Sequence, residues 1–154
     1  MTKYFIFYIF FSLTIFASEV DNKPFRELVV SYNHGVLLAA KKKKFDHLQE
    51  YLTQEIYFKT WIWLESYQDN YLFMDALLLG IKFGEFNQDG ITATLDTHEK
   101  WKYRYIDIFR KKVSSEPVKT DYDMRYFFIQ LEDGTWKINH IKIIKEVNTP
   151  IEDK

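Results

Sequence analysis

The stretch EKWKYRYIDI, from Glu99 to Ile108, alternates along most of its length, with Lys100, Lys102 and Arg104 on one side and Trp101, Tyr103 and Tyr105 on the other. A period of two is the pattern of a strand with one covered face. The same alternation recurs downstream. Tyr122, Met124, Tyr126 and Phe128 share one face of a later strand; Trp136 and Ile138, with His140 next in that row, share one face of another. An aromatic band therefore crosses three neighbouring strands. The opposite rows are mixed, with Phe127, Ile129 and Leu131 beside the charged row, as antiparallel sheets with a single buried face read.

Magnitudes say what must cover the band. A buried aromatic ring removes about 150–250 Å² from water. At ~25 cal/mol/Å² that is roughly 4–6 kcal/mol gross per ring, an upper bound. Leaving six such rings exposed would forfeit more than the ~5–15 kcal/mol net stability of a domain. Most of them must lie under other elements, and the preceding segment supplies two. Asp21 and Asn22 offer caps, Pro24 suits a first helical turn, and Phe25, Leu28, Val29, Tyr32 and Val36 follow at helical spacing to about Lys42. Lys41 to Lys44 complement the C-terminal end of that helix dipole. Asp46 and Gln49 resemble a capping box, and a second helix is expected from there to about Asp69. Its consecutive Trp61, Ile62, Trp63 and Leu64 suit a helix sandwiched between the first helix and the sheet.

The remaining chain reads as strands over residues 71–86, 91–109, 121–131 and 135–145, with turns at Asp89-Gly90 and Glu132-Asp133-Gly134. Two helices followed by a meander of about four strands predict an α+β domain, its N-terminal helices packed on a strongly curved antiparallel sheet. Residues 147–154 are polar, carry Pro150, and are expected to form a flexible tail.

The N-terminus has a character of its own. Lys3 precedes an apolar run from Tyr4 to Phe16, followed by the small residues Ala17 and Ser18. Thirteen residues are too few to cross the ~30 Å core of a bilayer as a helix, but they suit a secretory signal peptide. Residues 1–17 are read as that signal, with cleavage near Ala17, and 18–146 as the folded domain. Membrane association is expected only if the signal stays uncleaved.

The strand forms themselves carry a resemblance. Trp101 and Tyr103, then Tyr122 and Tyr126, then Gly134, then Trp136 and Ile138 give a W-x-Y strand, a Y-x-x-x-Y strand, a glycine turn and a W-x-I strand. From about Pro24 to Lys145 this resembles the NTF2-like superfamily, nearest to the group that includes the intermembrane-space domain of plastid division proteins. The resemblance implies a cone of sheet around a helix. It implies either acid–base chemistry inside the cone, as in ketosteroid isomerase and scytalone dehydratase, or a non-catalytic association role, with pairing of two copies through their sheets by analogy.

Chemistry has few handles. With no cysteine, disulfides, thiolate catalysis and cysteine zinc sites are excluded. His34, His47, His98 and His140 show no metal-ligand spacing, and neither a phosphate-cradling loop nor a nucleophile elbow occurs. A formal net charge of −1 leaves no broad footprint for nucleic acid. Asp75 and Asp107, with Tyr32 and Tyr51 from the helices, are the candidates for an isomerase-like or lyase-like site. No cofactor is expected. The favoured expectation is an exported, non-catalytic domain that docks a protein partner or an apolar small molecule. Tyr103, Tyr105, Tyr126, Trp136 and His140 are the expected lining.

Overall fold

The computed structural model describes residues 21–151. The proposed signal peptide and its cleavage point lie outside the described residues. Helix α1, Lys23–Lys42, carries Pro24 in its first turn, and Asp21 accepts the Lys23 N–H at 3.0 Å. Its buried side is set by Phe25, Val29, Asn33, Val36, Ala39 and Ala40. The helix stops where Lys43 turns left-handed, at φ 53°, and donates its N–H to the Ala39 carbonyl at 3.0 Å. Gly35 is needed for a close approach: a Cβ there would stand 2.8 Å from Leu48 Cδ2, in the turn that packs across the helix.

The second helix begins later than its capping-box signal suggests. Asp46–Glu50 is a short 3₁₀ turn, and α2 proper is Gln54–Asp69. Between them the backbone is stitched to the last strand: Ile138 N–H donates to Tyr51 O at 2.9 Å, and Thr53 N–H to Ile138 O at 3.0 Å. Those two bonds replace helical ones, which breaks the helix there. Nor is α2 sandwiched. Ile56, Thr60 and Leu64 are buried, but Phe58, Trp61 and Ile62 are exposed along its outer side.

Five antiparallel strands follow: β1 Leu72–Asp89, β2 Thr92–Asp107, β3 Lys112–Val113, β4 Val118–Gln130 and β5 Trp136–Pro150. The sheet order is β1-β2-β4-β5, with the two-residue β3 folded back on the end of β2. The long strands are bent by bulges, at Leu78/Gly80 and Phe83/Phe86 in β1, and opposite Asp123/Met124 and Phe127/Phe128 in β5. Each adds twist and curls the sheet around the helices. The strand β5 outruns its expected end at Lys145. Val147 to Pro150 pair with Asp121 to Val118, and Thr120 Oγ1 donates to Asn148 Oδ1 at 2.6 Å. Residues 147–150 thus belong to the sheet rather than to a tail.

Trp101, Tyr122 and Trp136 all stand on the helix-facing side, as the alternation requires. At one end of that side Phe25 closes the core, its ring 4.9 Å from Phe86, 5.1 Å from Phe128 and 4.9 Å from Trp136. The opposite face of the sheet carries the ion pairs Arg125 to Asp96 and Arg104 to Asp75, and a hydrogen bond of 2.8 Å between His98 Nδ1 and Asp123 Oδ1.

Candidate functional site

Away from the Phe25 end, the helices and the sheet diverge. The gap is an open cavity of about 550 Å³. Tyr32, Val36 and Leu37 come to it from α1, Thr60, Trp63 and Tyr67 from α2. The sheet contributes Trp101, Tyr103 and Tyr105 from β2, and Tyr122, Met124 and Tyr126 from β4. The rings brace one another. Tyr67 stacks on Tyr105 at 5.2 Å and 24°, Tyr103 meets Tyr105 edge-on at 6.0 Å, and Tyr32 meets Tyr126 at 6.1 Å. A second depression, about 590 Å³, lies by Lys41, Lys102, Arg104, Asp75 and Glu116, where Arg104 and Asp75 neutralise each other.

The cavity floor holds one carboxylate, Glu99, whose residue is 2% exposed. It follows the inward row Leu95, Thr97, Glu99, Trp101 along β2. Four protein donors hold it. Tyr126 O–H donates to Oε1 at 2.7 Å, Thr97 Oγ1 at 2.9 Å and Asn33 Nδ2 at 3.2 Å; Trp101 Nε1 donates to Oε2 at 2.9 Å. A carboxylate offers about four lone-pair sites. Oε1 is saturated, while Oε2 accepts a single bond. Among the described residues no cation pairs with Glu99.

The phenols around it are kept neutral. Burial, opposed by a hydrogen bond to Thr60 and assisted by the Glu99 charge, pushes the Tyr32 hydroxyl up to about 12. Burial and then the Glu99 charge raise Tyr126 well above the ordinary phenol value. Burial first, and neighbouring phenols next, raise Tyr105 and Tyr122 as well.

Of the five expected lining residues, Tyr103, Tyr105, Tyr126 and His140 line this cavity. Trp136 is on the same face but packs at the closed end, against Phe25. His140 is exposed at the rim. The bulge at Asn139 shifts the register so that His140 pairs with Phe127, its ring 5.3 Å away, and leaves the row of Trp136 and Ile138. Asn139 Oδ1 is itself buried without a partner. The isomerase-like candidates do not converge. Asp75 turns to the opposite face and bonds Arg104 Nε at 3.1 Å. Asp107 caps the turn after β2 through the N–H groups of Phe109 and Arg110, at 2.9 and 2.8 Å. Tyr51 packs against the core, and only Tyr32 reaches the cavity. Glu99 was not among the candidates, although its parity with Trp101 places it in the inward row.

Among the described residues, no group of three His, Asp or Glu side chains is placed to hold a metal ion, and no helix is long and apolar enough to cross a membrane.

No protein-family model matches the chain, and no curated protein matches it. Solved structures do. The chain is similar to the intermembrane space region of the chloroplast protein ARC6, with a TM-score of 0.69, 17% identity, and coverage of 80% of this chain and 95% of that one. A conserved protein from Planctomyces limnophilus aligns with a TM-score of 0.48 at 13% identity, covering 79% of this chain and 98% of that one. At these identities the likeness is one of fold.

Proposed function

We propose that the chain is an exported, non-catalytic binding domain of NTF2-like type whose cavity between α1, α2 and the sheet takes an apolar small molecule. The cavity itself carries the reading: an open space of about 550 Å³ walled by braced aromatic side chains is the usual form of a ligand site. Its one buried carboxylate already accepts four protein hydrogen bonds, which suits a fixed charge better than a proton carrier. Export is supported by the Lys3, Tyr4–Phe16 and Ala17 pattern, and by a fold neighbour that is itself an intermembrane-space region.

Titration with the neutral polarity-sensitive dye N-phenyl-1-naphthylamine tests this. The dye is expected to brighten on binding, and Ala76→Phe, which puts a ring into the cavity beside Tyr103, is expected to abolish the effect while circular dichroism stays unchanged. Equal dye binding by the folded Ala76→Phe variant would overturn the reading. N-terminal sequencing of the exported protein tests cleavage near Ala17.

Docking of a protein partner is the second reading, favoured by the uncovered side of α2 at Phe58, Trp61 and Ile62. A partner seated there is lost on Trp61→Glu and kept on Ala76→Phe. Self-pairing through the sheets would have to bury the ion pairs of Arg125 and Arg104, and sedimentation of the purified chain measures it directly.

A further inference from the structure

We propose that the cavity is selective for an organic cation, a substituted or quaternary amine with an apolar body. This rests on the cavity being a ligand site and specifies the chemistry of that ligand. Three observations lead to it. The first is the uncompensated charge. Glu99 sits on the floor, 2% exposed, with no cationic partner among the described residues and one oxygen, Oε2, bonded only to Trp101 at 2.9 Å. A buried charge is normally paired. Here its donors are all neutral side chains, so the field of the anion extends into the cavity.

The second is the wall. Eight tyrosine and tryptophan rings line the space, among them Trp63, Trp101, Tyr103 and Tyr105. Ring faces attract cations, most strongly where water is excluded, and an aromatic cage with a nearby carboxylate is how quaternary ammonium groups are held.

The third is the balance at the mouth. Lys59, the one Lys or Arg among the described lining residues, is neutralised by Glu55 at 2.6 Å; the His140 imidazole stands at the rim, where Glu146 adds a second carboxylate. Anions meet repulsion from both carboxylates, and a neutral molecule gains only the apolar wall.

The test uses an isosteric pair with the full chain. Phenyltrimethylammonium and tert-butylbenzene share size and shape and differ in charge, and benzenesulfonate supplies the anion. Binding is read from tryptophan fluorescence. The cation is expected to bind about tenfold or more tightly than its neutral isostere, with the anion weakest, and Glu99→Gln is expected to erase the difference between cation and isostere. Equal affinities for the isosteric pair would overturn the cation preference and leave cavity binding intact. Binding of none of the probes would overturn both. A folded Glu99→Gln protein that keeps the preference would also overturn the assignment. Should that variant fail to fold, Tyr103→Leu decides: the cation's affinity must fall further than the isostere's, and an equal loss for both contradicts the proposal.

Discussion

The Tyr126 hydroxyl donates to Glu99 Oε1 across 2.7 Å, tying β4 to β2 beneath α1. Both residues are almost fully buried, so the bond lies in a setting where an unpaired polar group is costly. Tyr126→Phe removes the donor and leaves the carboxylate under-satisfied. The expected loss is about 1–3 kcal/mol in urea unfolding. Tyr71→Phe, at a residue 58% exposed, is the control and should stay within about 0.5 kcal/mol of wild type. A Tyr126→Phe protein as stable as that control would show that Glu99 does not depend on this bond.

At the closed end, Phe25 is the wedge between α1 and the sheet, in contact with Phe86, Phe128 and Trp136. Phe25→Ala leaves a hole among rings that cannot all move into it. A cost of about 3–5 kcal/mol is expected in the same unfolding experiment. The cavity lies at the other end, so dye binding by the remaining folded protein should persist.

The raised phenols make a prediction about alkaline pH. Tyr32, Tyr126, Tyr105 and Tyr122 hold their protons more tightly folded than unfolded. Unfolding above the ordinary phenol value of 10.0 therefore releases protons. Stability is intact below that value and falls as pH rises through the window from about 10 to about 12 for Tyr32. Each such phenol contributes a slope of up to ~1.4 kcal/mol per pH unit. Absorbance at the phenolate band should show these tyrosines ionising only with the loss of tertiary structure. A smooth titration of every tyrosine near the ordinary value in the folded protein would contradict their burial.

The sheet was legible because period two survives wherever a strand is regular. Trp101, Tyr103 and Tyr105, and the alternate residues Tyr122, Met124, Tyr126 and Phe128, point inward as their spacing says. What escaped depends on interruptions that alternation does not announce. One extra residue at Asn139 turns His140 away from Trp136 and Ile138. In β1 an almost continuous apolar run hides the parity that sends Asp75 outward to Arg104. The break before α2 is a tertiary effect: Ile138, far along the chain, takes the hydrogen bonds of Tyr51 and Thr53. Glu99 was readable in principle, as an acidic residue in the same row as Thr97 and Trp101. An acidic residue within a strand ordinarily reads as solvent-facing, and only the donors from Asn33 and Tyr126, distant in sequence, reveal that it is buried.

On the outer face, Arg125 holds Asp96 in a two-pronged pair, with bonds of 2.6 and 2.7 Å. That hydrogen bonding keeps the Asp96 carboxyl below its ordinary value. A depressed carboxyl stabilises the fold above its unfolded value and loses that contribution as pH falls through the folded one. With the side chains 25% and 42% exposed, solvent screens the pair. Asp96→Asn should cost only about 0.5–1 kcal/mol near neutral pH. The gap between wild type and variant should close below pH 3.8, the carboxyl's ordinary value. A gap that widens in acid would have the wrong sign for this pair.

The most direct measurement is an NMR titration of the ¹⁵N-labelled chain with tert-butylbenzene, followed through the indole N–H signals of its four tryptophans. Trp101, bonded to Glu99, and Trp63 line the cavity; Trp136 is packed at the closed end and Trp61 lies on the outer side of α2. Occupation of the cavity predicts that the Trp101 and Trp63 signals move together with the Asn33 side-chain amide, while Trp61 stays still. Movement of Trp61 with Trp101 and Asn33 unchanged would place binding outside the cavity and contradict the account.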